Sequence, residues 1–151
     1  MKEIERKFFI KIMPDISELA PWHSERFFLN GQDGFEERIS RIQDRFFYDK
    51  KLVISSMERD REKKEITEDE FNDLKYRAYG STIRDTYLLS QNPKITLQIY
   101  RGQFEGLIRA DVEFNSIEEA SAFKPLPWMG KEITGLDIAR DSTNLNISRM
   151  Q

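Results

Sequence analysis

The chain has no cysteine and only one histidine, His23, among its 151 residues. A disulfide framework, a thiolate metal site and a cysteine nucleophile are therefore excluded. So is any metal site built on several imidazoles. A metal bound here would take oxygen ligands, which points to Mg²⁺, Mn²⁺ or Ca²⁺. No apolar run approaches the ~18 residues of a membrane span, and charge begins at Lys2, so neither a span nor a secretory leader is expected. The expectation is a cytoplasmic protein with no membrane partner. A dominant charge is also missing: 24 basic residues face 27 acidic ones, for a net charge of -3. That balance argues against nucleic-acid binding driven by bulk charge, and no specific nucleic-acid partner is expected, though a local basic site is allowed. The length fits a single domain over residues 1–151 and leaves the oligomeric state open, a homodimer included.

What is present begins with Met1-Lys2-Glu3-Ile4-Glu5-Arg6-Lys7. Read with period two, Glu3, Glu5 and Lys7 share one face of a strand, and Ile4, Phe8 and Ile10 share the other. Two carboxylates at this spacing can share a hard divalent cation, with a lysine beside them to meet an anion held by it. The competing reading is an edge strand protected by charge.

Further along, residues 24–29 read as a second strand, closed by the turn dipeptides Asn30-Gly31 and Asp33-Gly34. Residues 36–42 alternate loosely, with Arg38 and Arg41 on opposite faces. Residues 45–55 form a fourth strand whose register leaves Lys50 and Lys51 unassigned. Residues 58–66, Glu-Arg-Asp-Arg-Glu-Lys-Lys-Glu-Ile, have no apolar stripe for a helix. They are a solvated loop, or a strand with Arg59, Arg61, Lys63 and Glu65 on one face. Thr67 and Glu70 make a capping box for a helix carrying Phe71, Leu74 and Ala78 and ending at Gly80. Strands follow at 81–90, 94–100 and 107–114, with Asn92-Pro93 as one turn. In the last, Arg109, Asp111 and Glu113 oppose Ile108, Ala110, Val112 and Phe114. Ser116 and Glu119 suggest a second capped helix. The tail is weakly patterned around Leu145 and Ile147. The sum is an α+β chain of about eight antiparallel strands, able to close into a barrel, with two or three helices packed outside. Periodicity leaves open whether the charged or the apolar faces point inward. His23 reads as a connector residue, and Trp22 and Trp128 as packing residues.

The Glu3-x-Glu5-x-Lys7 stretch resembles the N-terminal signature of the CYTH superfamily, the triphosphate tunnel metalloenzymes. Asp111-Val112-Glu113-Phe114 resembles the family's Glu-x-Glu strand. Phe123, Pro125, Trp128, Gly130, Glu132, Ile133 and Thr134 resemble the closing segment of its short bacterial members. The resemblance implies a closed eight-stranded barrel whose polar tunnel binds a triphosphate-containing small molecule with Mg²⁺ or Mn²⁺. Carried over residue by residue, Glu3, Glu5, Asp111 and Glu113 are the metal ligands. Lys7 and Lys51 are the catalytic lysines. Lys7, Arg38, Arg41, Arg59, Arg61 and Lys63 bind substrate.

The chain also departs from the pattern. Ser40 stands where a second basic residue is expected. Arg61 and Lys63 stand where the fifth strand carries acids, Asp85 and Tyr87 where the sixth carries bases, and Thr96 and Gln98 where the seventh carries acids. No basic residue near the end matches around Asp141 to Asn144. The exchange of sign predicts an ion pair inside the tunnel between Asp85 and Arg61 or Lys63. The function implied is a divalent-metal-dependent hydrolase of inorganic tripolyphosphate or a related organic triphosphate. The alternative is a degenerate tunnel that binds a phosphorylated ligand or a protein partner without turnover. Adenylate cyclisation has no support of its own, and a purely structural barrel is the plainest option.

Overall fold

In the computed structural model, which describes residues 1–32, 34–136 and 139, eight strands close into one antiparallel ring. They are β1 (Lys2–Ile10), β2 (Trp22–Gln32), β3 (Phe35–Ile42), β4 (Arg45–Val53), β5 (Glu58–Ile66), β6 (Gly80–Gln91), β7 (Lys94–Arg101) and β8 (Ile108–Phe114). The order around the ring is β5-β4-β3-β2-β6-β7-β8-β1, and β1 returns to β5 through Lys2↔Asp60, Glu3↔Arg59 and Ile4↔Glu58. Closure removes the edges that a charged strand such as β5 would otherwise expose. A ninth strand, β9 (Met129–Glu132), lies along the far half of β1. Two α-helices complete the described fold, α1 (Glu68–Lys75) and α2 (Ile117–Ala122). Among the described residues no helix is long and apolar enough to cross a membrane.

The barrel is polar within and apolar without. Its apolar faces form two separate clusters on the outside. One packs Phe8, Ile95, Ala110, Val112 and Met129 with Phe114, Phe123 and Trp128 beneath the α2–β9 segment. The other packs Ile39 and Ile66 with Phe27, Phe46 and Leu74 around Phe71 of α1. Phe71 meets Phe27 edge-on at 5.6 Å and Phe46 at 4.9 Å between ring centres. Thr67 caps α1 in a reciprocal box with Glu70, which satisfies two otherwise unpaired N–H groups.

Arg6 fastens the closing segment to β1. It points outward between the inward Glu5 and Lys7 and forms a fork with Glu132, at 2.9 and 2.7 Å. Its remaining nitrogen donates to the carbonyls of Ala120 and Phe123 at the end of α2, both at 2.8 Å. Gly130 lets β9 approach closely, since a Cβ there would lie 3.3 Å from the Phe9 carbonyl oxygen. Thr134 accepts from the Lys7 N–H at 2.9 Å. The closing motif of the sequence is thus a staple on β1.

Several elements differ from the sequence-based expectation. The charged segment 58–66 is a strand, because pairing with both β4 and β1 holds it without an apolar face of its own. Gly80 opens β6, and α1 already ends at Lys75, with Tyr76 as its C-cap. At α2 the Ser116 hydroxyl accepts from Glu119 N–H, but the Glu119 carboxylate accepts from Asn115, so the box is only half formed. The four residues of β9 have no counterpart in the periodicity. Asp33, Asp141 to Asn144, Leu145 and Ile147 lie outside the described residues.

Candidate active site

The inward faces of the strands enclose a cavity of about 150 Å³ whose wall is mostly charged, with Trp22 and Ile42 as its apolar members. From β1 come Glu3, Glu5 and Lys7, and from β8 Asp111 and Glu113, each set on the one face that alternation gives it. β3 supplies Arg38 and Ser40, and β5 supplies Arg61 and Lys63. Arg59 is buried deeper, beside Glu5. The register of β4 is settled by its pairing: Asp49 and Lys51 line the cavity, and Lys50 points to solvent. Thr96 and Gln98 face inward from β7.

Two sequence-based placements are corrected. Arg41 is exposed on the outer surface with Glu25 and Gln43, because β3 alternates and Ser40 takes the inward position. It is not part of the tunnel. Asp85 also faces outward, 2.9 Å from His23 Nδ1 and 3.3 Å from Arg101 Nε, and the Tyr87 position shares its side of the strand. The β2 pairings Ser24↔Arg84 and Trp22↔Thr86 put Arg84 and Thr86 inside. The sixth strand therefore keeps an inward base, and the expected Asp85 ion pair does not exist. Arg61 instead donates to Asp49, through Nε at 2.9 Å and Nη2 at 2.8 Å.

Sequence reasoning missed Arg26, Asp49, Arg84, Lys94 and Arg109. Ser24, Arg26 and Phe28 alternate on one face of β2, so Arg26 was readable. The fully buried Arg109 lies on the face already assigned to Asp111, so it too was readable. It stacks on Tyr100, with 4.9 Å from its guanidinium carbon to the ring centre, and donates to Tyr100 Oη and to Gln98 Oε1. Gln98 in turn donates to Asp111 Oδ2 at 3.3 Å.

At the acidic side, Glu3, Glu5 and Glu113 each bring one oxygen within 4.8 Å of the others. Asp111 adjoins them. It is 7% exposed, its carboxyl lies within hydrogen-bond reach of Glu5, and among the described residues no donor meets its Oδ1. Burial first, and then the charge of Glu5, pushes the Asp111 carboxyl up to about 7. Burial would raise Glu5 as well, but Lys7, Lys51 and Arg59 outweigh it and hold that carboxyl far below the usual range. Asp49 is likewise held low against its burial by Arg38 and Arg61. Burial and the repulsion of Arg38 bring the Lys51 ammonium down to about 8, although Glu3 and Glu5 pull the other way. A buried carboxyl that shares its site with three converging carboxylates, in a chain without cysteine, is a donor set suited to a hard dication.

No family model matches the chain. An inorganic triphosphatase of Nitrosomonas europaea is 28% identical over 137 residues, covering 89% of this chain and 90% of that one. A crystal structure of an inorganic triphosphatase matches at a TM-score of 0.66 and 26% identity, over 95% of this chain and 93% of the other. A putative adenylyl cyclase from Hippeastrum, described as having a dominant triphosphatase activity, matches at a TM-score of 0.52 over 79% of this chain and 82% of its own. At 13% identity it speaks to the fold alone. The closed ring, the inward ionic faces and these likenesses agree, and the chain carries the triphosphate tunnel fold of the CYTH superfamily.

Proposed function

We propose that the protein is a divalent-metal-dependent hydrolase of a triphosphate, with inorganic tripolyphosphate as the first substrate to test. The observation that carries this reading is one cavity that brings a cluster of carboxylates into contact with a set of cations. Glu3, Glu5, Asp111 and Glu113 would hold Mg²⁺ or Mn²⁺. A divalent cation bound there supplies positive charge against phosphate oxygens.

The chain's own residues do the rest. Lys7, Arg38, Arg59, Arg61 and Lys63 hold the phosphate chain and neutralise charge developing on the terminal phosphoryl group and on the pyrophosphate that leaves. Arg26 and Arg84 extend this cationic wall across β2 and β6. Phosphoryl transfer of this kind rests on positioning and electrostatics, so the lack of cysteine and of histidine in the tunnel is no obstacle. Lys51 is suited to proton exchange, since its ammonium titrates near 8. The sequence likeness to an inorganic triphosphatase supports the same substrate class.

Phosphate release from tripolyphosphate, thiamine triphosphate and ATP, each with Mg²⁺ or Mn²⁺, tests the reading. Metal-dependent release, greatest for tripolyphosphate, is expected. A second reading, binding without turnover, is favoured by Thr96, Gln98 and Arg61 standing where the family pattern has acids. Tight tripolyphosphate binding with no phosphate released under either metal would select it.

A further inference from the structure

The acidic cluster is already occupied by the protein's own cations. Both oxygens of Glu3 are taken, Oε1 by Lys51 Nζ at 2.9 Å and Oε2 by Arg61 Nη1 at 2.9 Å. Glu5 Oε1 lies 3.1 Å from Arg59 Nη1 and 3.6 Å from Lys7 Nζ. Glu113 lies 3.6 Å from Lys94 Nζ. Arg61 is the unusual member. It stands where the family resemblance places an acid, and it bridges Glu3 to Asp49.

Two opposite costs follow. A dication approaching Glu3 alone meets two cations at contact distance, and displacing them leaves buried ammonium and guanidinium groups without their anion. A polyphosphate arriving alone draws those cations off and leaves Glu3 and Glu5 as buried unpaired carboxylates. When both arrive, each charge that loses a partner gains one: cations turn to phosphate and carboxylates turn to metal. The guanidinium is rigid, so Nη1 parts from Glu3 as the whole group pivots on Asp49 Oδ1, which both Nε and Nη2 contact, or as the Glu3 carboxylate turns away.

We propose that Arg61 is an internal stand-in for the metal, which makes divalent-cation binding at Glu3, Glu5 and Glu113 depend on a triphosphate drawing Arg61 and Lys51 off Glu3. The inference rests on the function proposed above. It adds a heterotropic coupling that must be reciprocal, the metal raising triphosphate affinity by the same factor.

The test is Mn²⁺ binding, with free Mn²⁺ counted by electron paramagnetic resonance. It is run with protein alone and with a methylene-bridged triphosphate that cannot be hydrolysed, after subtracting the Mn²⁺–analogue complex measured without protein. The analogue should raise Mn²⁺ affinity about tenfold, within the usual range of coupling between sites. Arg61→Gln should bind Mn²⁺ alone about tenfold more tightly than the unmodified protein, bind the analogue alone more weakly, and lose most of the coupling. Arg61→Lys, which retains the charge, should stay near the unmodified protein. Should Arg61→Gln not fold, Lys51→Gln removes the cation on the other oxygen of Glu3 and carries the same expected rise. Unchanged or weaker Mn²⁺ binding by the variant overturns the proposal, as does equal coupling in variant and unmodified protein. If the unmodified protein binds the analogue but Mn²⁺ affinity ignores it, this inference fails alone. If it does not bind the analogue at all, the proposed function fails with it.

Discussion

The inside and the outside of this barrel carry opposite kinds of cohesion. Outside, two apolar clusters weld the helices and β9 to the strands, and their side chains are stabilising in the ordinary way, by leaving water. Inside, carboxylates and cations face one another across a small cavity, and burying charge costs about as much as pairing it recovers. The difference teaches where each property resides: the outer clusters hold the helices and β9 on the ring, and the inner charges, which add little net stability, are where a ligand is proposed to bind.

The largest effect expected on this contrast is on stability. Phe71→Ala removes the centre of the α1 cluster and should cost about 3–5 kcal/mol in urea unfolding. Phosphate release per folded molecule should be unchanged. A loss of turnover in the folded fraction would show that the outer cluster shapes the tunnel.

Next comes the metal. A cation at about a hundred times its dissociation constant stabilises the fold by roughly 2.7 kcal/mol. Glu5→Gln with Asp111→Asn should abolish the rise in melting temperature produced by Mn²⁺ in the presence of triphosphate analogue. A full shift in the double variant would remove these carboxylates from the metal site.

A smaller effect is expected from pH. Asp111 holds its proton to about 7 in the folded chain, against an ordinary value of 3.8. Between those values the folded state binds a proton that the unfolded state has released. Its contribution to stability therefore falls as pH rises from about 4 to about 7, and remains a penalty above that. Glu3, Glu5 and Asp49, held low, act in the opposite sense and lose their contribution as pH falls below their ordinary range. Subtracting the stability profile of Asp111→Asn from that of the unmodified protein, without metal, should isolate the falling limb. A flat difference would show that Asp111 titrates normally.

The smallest effect separates two neighbours. Arg41→Ala, on the outer surface, should change stability by no more than about 0.5 kcal/mol and leave phosphate release intact, whereas Arg38→Ala should lose most of it. Equal losses would mean that the outer arginine matters to the site.

The same contrast explains what could be read from the sequence. β8 was legible because it sets apolar residues strictly against charged ones, and β1 because Glu3, Glu5 and Lys7 share one side although Arg6 interrupts the apolar one, so periodicity fixes which residues share a face. β5 was not, since its inward side is cationic and most of its outward side meets water. Only pairing with β4 and β1 defines it. β6 was misread by one residue. Ile83, Asp85 and Tyr87 alternate with Arg84, Thr86 and Leu88, and neither set is apolar enough to announce its side. The pairing of Ser24 with Arg84 decides the matter, and no single strand contains that information. Arg41 was assigned to the tunnel for its charge, but alternation gives that place to Ser40.

Arg6 sits between Glu5 and Lys7 with its guanidinium on Glu132 and on the end of α2, while its neighbours face the tunnel. The first strand is therefore read in two frames at once, odd positions by the ligand and an even one by the staple. A substitution at any one position disturbs a single reader. An insertion or deletion of one residue between Glu3 and Glu5 would turn every later side chain of the strand over, taking Glu5 and Lys7 out of the tunnel and Arg6 off the closing segment in one event. Single substitutions can retune this strand letter by letter, but its phase cannot shift without losing both readers.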